Sequence, residues 1–516
     1  MSHFSRKTGA DVVTLPSIFS DHMVLQQASN VPIWGKASGV GSISVTLADR
    51  SAIGSVQEDG SWRVRLDLRE LGSGPFEMIV AAADFQVSIS DVVVGEVWLA
   101  AGQSNMQMLL RDTLAADSEI SRSENALLRQ FIVPPANSRD PLDDCGGKWM
   151  VASPETVGIF SGVGYYFSKI LQRELGVPLG ILNSSQGATP CEAWISLERL
   201  RTIPELWTGC EQLEKLSDRD CSGNQGPETG RDIGAKAGED LPKSYTLGGA
   251  LFNAMIHPVC PFGIRGAIWY QGESNVERAF QYRVTFPLLI ADWRAHWQQG
   301  EFPFYFCQLA NYQAKVIEPE ESAWAELREA QWQALKVPNT AQAILIDVGE
   351  AENIHPLNKE VVGCRLAKIA LAREYARAVP YSGPTYRSMS IEIGAIRLLF
   401  DNIGGGLAAL PANSIKPQRK PSGEGGCSVR IDQESGLEGF SICGNDRNWV
   451  WADAKVDGDS VLVWSSEIPL PVAVRYAWAD NPVCNLGNAD GFPASPFRTD
   501  DFPTVTRDVR YGFKSP

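Results

Sequence analysis

Between residues 12 and about 92, short runs alternate apolar and polar side chains. Val31-Pro-Ile-Trp-Gly35, Ser42-Ile-Ser-Val-Thr-Leu47 and Ser61-Trp-Arg-Val-Arg-Leu66 are the clearest. Turn clusters such as Glu58-Asp-Gly60 and Gly72-Ser-Gly-Pro75 separate them. A period of two with such punctuation predicts half-buried strands, and hence a small β-sandwich. From Val92 to about Val379 the texture changes. Continuous apolar runs at 93–101, 178–183, 264–270, 303–309 and 342–348 predict buried strands, and helical patterning lies between them at 159–174, 278–298 and 323–336. Strands alternating with helices predict a parallel sheet covered on both faces. Residues 200–245 are polar and charged with no clean period, which predicts a surface insertion, a lid or rim. After residue 380 the pattern returns to β, with Ala395-Ile-Arg-Leu-Leu-Phe400, Gly439-Phe-Ser-Ile-Cys443 and Ser460-Val-Leu-Val-Trp-Ser465 as strands. The organisation expected is three-part: 1–92, 93–379 and 380–516.

Composition narrows the partners more than the fold. The chain of 516 residues carries a net charge of −15, with 44% apolar and 21% charged residues. A surplus of acid argues against nucleic acid and anionic membrane surfaces as partners. No run of 18 apolar residues is present to span a bilayer. The first residues, Met1-Ser-His-Phe-Ser-Arg-Lys, lack the apolar segment of a signal peptide, so a cytoplasmic location is expected unless a targeting segment is missing. Ten scattered cysteines (145, 191, 210, 221, 260, 307, 364, 427, 443 and 484) contain no Cys-x-x-Cys pair, so the sequence proposes no metal and no redox cofactor. A Cys210–Cys221 bridge is the one local pairing left open.

The apolar run at 93–101 stops abruptly in Gly102-Gln-Ser-Asn105. Gly102 permits a tight turn, and Ser104 is then presented at the end of a strand, where α/β sheets build their sites. A nucleophilic serine needs a base, and histidines are few: His3, His22, His257, His296 and His355. His355 lies just beyond the last apolar strand, with Asp347, Glu350 and Glu352 before it. Pro356 disfavours helical conformation at His355, and a helix over Lys359–Arg373 is predicted after it. Glu352, three residues upstream of the histidine, has the spacing to accept from the imidazole. An acidic solvated loop with an incidental histidine explains the same string. Two more segments end strands in polar groups. In Trp269-Tyr-Gln-Gly-Glu-Ser-Asn275, Gln271 or Asn275 could donate to an oxyanion and Glu273 could order the loop. In Asn183-Ser-Ser-Gln-Gly-Ala-Thr189, Gly187 could bring a backbone N–H to a carbonyl oxygen.

Taken together, these strings resemble the sialate O-acetylesterase family, within the SGNH-type hydrolases. The resemblance rests on Phe19-Ser-Asp-His-Met-Val-Leu-Gln-Gln27, the Gly95–Met106 block, Asn183–Trp194, Phe252-Asn-Ala-Met-Ile-His-Pro258, Ile268–Asn275 and Ile354-His-Pro-Leu-Asn-Lys359, and on two C-terminal strings that begin at Val474 and Phe492. It implies an α/β fold: an SGNH-type parallel-sheet core flanked by N-terminal and C-terminal β-sandwich-like segments. It implies a cofactor-free serine esterase that removes acetyl groups from sugar hydroxyls, with acetylated sialic acid or a xylan-type glycan as substrate. Carried over by position, Ser104 is the nucleophile and His355 the base. The Ser104 and Gly187 N–H groups, with Gln271 or Asn275, form the oxyanion hole. The acid departs from the family's usual Asp: here Glu352 takes that place, with Asp347 as the alternative. His257 and His296 are read as structural. Two other readings stay open, a broad short-chain carboxylesterase and a non-catalytic carbohydrate-binding protein on the same scaffold. Oligomeric state is not legible.

Overall fold

The structure is a computed structural model that describes residues 12–83, 85–221, 243–411 and 436–512. The chain forms two compact units. One comprises residues 1–268 with 288–304 and 511–513; the other comprises 269–287, 305–510 and 514–516.

In the first unit the expected N-terminal strands form. Val12–Thr14, Val31–Ser38 and Ser61–Leu66 make a three-stranded sheet, and Ser42–Leu47 pairs with Arg50–Ser55 and Phe76–Ala82. The composition boundary at residue 92 falls inside one continuous strand, Phe85–Gly102. Its first half alternates exposed residues with half-buried or buried ones and pairs antiparallel with Phe76–Ala82. Its second half is buried throughout and pairs in parallel with Leu179–Ser185. The change of pattern has a simple cause: a strand with one wet face alternates, whereas a parallel strand covered on both faces does not. Leu179–Ser185 in turn pairs in parallel with Asn125–Ile132, and Lys148–Ala152 adds antiparallel beyond it. The helix Gly162–Leu175 opens on Ser161, whose hydroxyl accepts from Gly164 N–H, and it closes on Gly176 at φ +69°. It therefore has both an N-cap and a left-handed C-cap.

The expectation of an unpatterned insertion at 200–245 needs correction. Its first half is helical, Leu197–Arg201 and then Pro204–Cys221, with the first helix capped by Ser196. Residues 222–242 lie outside the described residues. Cys210 is a buried free thiol; the side chain of Cys221, like Cys427, is outside the described residues. No described helix is long and apolar enough to cross a membrane.

Strands Phe304–Cys307, which enters the second unit at Tyr305, and Thr340–Ala343 are neighbours, and helices Ala323–Gln333 and Lys359–Arg373 form where expected. The strand expected at 342–348 is shorter and earlier than predicted. Ile344, Leu345 and Ile346 stay buried, but the chain turns there because Ile344 gives its carbonyl to Arg365 and Leu345 accepts from Val348 N–H. Burial without a ladder looks the same in sequence as burial within one. The C-terminal residues build two four-stranded sheets. Ile396, Leu398, Phe400, Val461 and Val463 share one core with Ile442, Val474 and Tyr476.

Candidate active site

Ser104 begins a four-residue helix, Ser104–Gln107, directly after the Phe85–Gly102 strand. Gly102 turns the chain at φ +138°, a conformation that L side chains rarely adopt. Met106 is fully buried and anchors the turn, and its carbonyl accepts from the Ser161 hydroxyl at 2.7 Å. Ser104 itself is half-buried.

The parallel register decides what lies beside it. Ser185 pairs with Gly102, so the two strands end level. Gln186 N–H donates to Gly102 C=O at 3.0 Å and carries the next turn alongside the serine. Gly187 is so close that an added Cβ would stand 3.4 Å from Ser104 Cβ and 3.2 Å from Gln107 Oε1. The Gly187 N–H donates to Gln107 Oε1 at 2.8 Å. Thus two of the residues singled out from sequence, 83 positions apart by their numbers, meet through strand pairing alone.

The second unit holds the remaining candidates. Gln271 and Asn275 are both buried, and Gln271 Nε2 donates to Asn275 Oδ1 at 2.7 Å. The Tyr282 hydroxyl donates to Gln271 Oε1 at 2.9 Å. Both ends of the Gln271 amide are therefore engaged inside the protein. The Asn275 amide has its oxygen pinned, which fixes where its amino end points. Replacing Tyr282 by Phe removes the first bond of this chain. We expect a fall in kcat of about tenfold with KM little changed, less than the roughly 100- to 1,000-fold cost of deleting an oxyanion donor outright. Steady-state kinetics of Tyr282→Phe checks this.

His355 is half-buried in a loop with several ties. Asn353 Oδ1 accepts its backbone N–H at 3.0 Å, Asn311 Oδ1 accepts from Gly349 N–H at 2.7 Å, and Glu350 Oε1 accepts from Leu357 N–H at 2.7 Å. Asn358 then caps the helix Lys359–Arg373 by accepting from Val361 N–H. Burial, and after it the nearby Lys359 ammonium, hold the His355 imidazole below its ordinary range.

The acid is where geometry departs from spacing. Glu352 is exposed, and among the described residues no hydrogen bond joins it to His355. Asp347, the alternative, is gripped by Arg365, with Nη1 to Oδ1 and Nη2 to Oδ2 both 2.6 Å. Both Asp347 oxygens are thereby committed to Arg365, and breaking a pair of that kind costs about 3–5 kcal/mol when buried. We expect Glu352→Gln to lower kcat less than about tenfold, since exposed charges couple weakly. A loss of about 100-fold or more, the scale of a lost transition-state contact, would restore Glu352 as the acid.

The other described histidines have local partners, and His3 lies outside the described residues. His257 Nδ1 lies 2.9 Å from Leu142 O, His296 Nε2 is 3.4 Å from Asp292, and His22 Nδ1 is 2.6 Å from Asp91. Lys359, by contrast, is a residue whose importance the sequence pattern did not announce. It is fully buried, its ammonium 5.4 Å from the centre of the Tyr270 ring, and burial, opposed mainly by Glu273, pushes its pKa down to about 8. A signal was available: Lys359 begins the stripe Lys359, Val362, Gly363, Leu366 that forms the buried helix face.

An α/β sheet with a strand-end serine beside a glycine is the architecture of a serine-type ester hydrolase. Comparison with known proteins agrees. The family model for carbohydrate esterase, sialic acid-specific acetylesterase, matches residues 233–376. Sialate O-acetylesterase of Mus musculus is 28% identical over 535 residues, covering 93% of each chain. That of Homo sapiens is 28% identical over 531 residues, covering 93% of this chain and 91% of the other. A crystal structure of a carbohydrate acetylesterase from Xanthomonas citri is 36% identical, with a TM-score of 0.79 over 95% of this chain and 100% of that one. The chain belongs to the sialic acid-specific acetylesterase family of carbohydrate esterases.

Proposed function

We propose that this protein hydrolyses acetyl esters on sugar hydroxyls, through Ser104, on an SGNH-type core. The observation that carries the reading is the meeting of Ser104 and Gly187 at level strand ends, on a chain of carbohydrate-esterase family. His355 takes the Ser104 hydroxyl proton as Oγ attacks the acetyl carbonyl carbon. The oxyanion so formed is held by the Ser104 and Gly187 N–H groups and by the Asn275 side-chain amide, the one of the two candidates that Gln271 and Tyr282 serve to orient. The tetrahedral intermediate collapses, the C–O bond to the sugar breaks, and His355 returns its proton to the leaving sugar oxygen. Water, deprotonated by His355, then attacks the acetyl-enzyme. Acetate leaves, and Ser104 recovers its proton.

Relatives named for sialate and for carbohydrate in general set the substrate panel: 9-O-acetyl sialic acid, acetylated xylan, and 4-nitrophenyl acetate against butyrate. We expect acetate release from at least one acetylated sugar and a preference for acetate over butyrate. No release from any acetylated sugar would overturn the proposal. Preference for the longer acyl chain would favour a general carboxylesterase.

A further inference from the structure

The Gly187 N–H, required by the proposed mechanism to hold the acyl oxygen, donates to the side chain of Gln107 at 2.8 Å. That acceptor is an sp² amide oxygen, neutral and planar like the carbonyl of an ester. We propose that Gln107 stands in for the substrate: in the free enzyme its Oε1 occupies the Gly187 N–H position that the acyl oxygen takes, and the side chain swings away when the ester binds. This inference rests on the reading of Ser104 as nucleophile and Gly187 as oxyanion donor.

Three observations separate a displaceable cap from a structural tie. The turn after Ser185 is already held without Gln107, by Gln186 N–H to Gly102 C=O, by the Thr189 hydroxyl to Gln186 C=O at 2.7 Å, and by Trp194 Nε1 to Thr189 Oγ1 at 3.0 Å. Gln107 is the last residue of its short helix and half-buried, whereas its neighbours Asn105 and Met106 are buried. Its own amide nitrogen makes no hydrogen bond among the described residues, so a single bond through Oε1 holds the side-chain amide.

The exchange is balanced in hydrogen bonds, because the Gly187 N–H trades one carbonyl acceptor for another. Its cost falls on the ground state. Only the uncapped fraction of the enzyme binds ester productively, and apparent affinity drops by that fraction. The free energy of one neutral hydrogen bond corresponds to roughly 2- to 10-fold. As the ester carbonyl becomes an oxyanion it outcompetes any neutral amide, so the chemical step is little affected.

The test is steady-state kinetics of Gln107→Ala and Gln107→Glu on 4-nitrophenyl acetate, a substrate too small to need contacts from Gln107. Thermal melting of both variants and a Ser104→Ala control run beside them. Expected for Gln107→Ala is a KM lower by roughly 2- to 10-fold at nearly constant kcat. Gln107→Glu keeps the cap as a charged, stronger acceptor beside the developing oxyanion, and its kcat/KM falls about tenfold or more. A Gln107→Ala variant with unchanged KM, or with reduced kcat at normal melting temperature, overturns the inference. In the latter case Gln107 would be holding the turn or donating to the oxyanion itself. Failure of the underlying reading looks different: Ser104→Ala would then stay active whatever Gln107 does.

Discussion

Ser104→Ala leaves a folded protein with acetate release lower by a factor on the order of 10⁴ to 10⁶, the range that loss of a serine nucleophile costs elsewhere. The fold should not register the change. Ser104 is half-buried, it starts a helix whose anchor is Met106, and its backbone N–H and C=O are unaltered by the substitution. Melting temperature is therefore expected to match wild type. The residual rate would come from the oxyanion donors and from binding, which survive the mutation. Measuring acetate from the preferred sugar ester, with both proteins at equal concentration, decides it. Activity above about 1% of wild type, far more than oxyanion donors alone supply, would mean that another group attacks the ester.

His355→Asn is expected to cost a similar factor, because in the proposed mechanism the serine then lacks a base and the leaving sugar an acid. The pH profile adds a sharper expectation. The proposed mechanism needs the neutral imidazole, which prevails above the His355 pKa and is lost as pH falls through it. Burial and then Lys359 hold that pKa below 6.5, so the acid limb of kcat/KM falls below pH 6.5. Lys359 stays mostly charged below its own pKa of about 8, and hence acts as a like charge across the whole limb. Lys359→Met removes that charge and keeps the length of the chain packed against Tyr270. The limb should move to higher pH, while Lys359→Arg should leave it near the wild-type position. Profiles of kcat/KM from about pH 4.5 to about pH 9 for the three proteins, a span that brackets an ordinary histidine, test this. An unmoved limb in Lys359→Met would show that Lys359 does not bias His355.

The patterns that were legible share a physical origin. Period-two alternation identified the N-terminal strands because one face of each is wet, as in Ser61–Leu66. Continuous burial identified Leu179–Ser185 because both faces are covered. Helix Lys359–Arg373 was legible to the residue, since Pro356 precedes it and Asn358 caps it. Ser104 was legible for a related reason: an apolar strand cut off at Gly102 has to end in a turn that exposes the next few side chains. The strand expected at 342–348 ends at Ala343, because side-chain capture of the Ile344 carbonyl by Arg365 leaves no trace in local hydrophobicity.

Local chemistry along the chain thus settled which residues are apolar, where strands break, and which serine and histidine are available, since each depends on neighbours within a few positions. Pairing and contact decided the rest. The level ends of two parallel strands brought Gly187 to Ser104, and Tyr282 committed the Gln271 amide and so directed Asn275. Glu352 was left in solvent although its spacing to His355 is favourable, while Asp347 went to Arg365. A hydrogen bond is made or withheld over a few ångströms between residues tens of positions apart, and only the folded chain sets that distance.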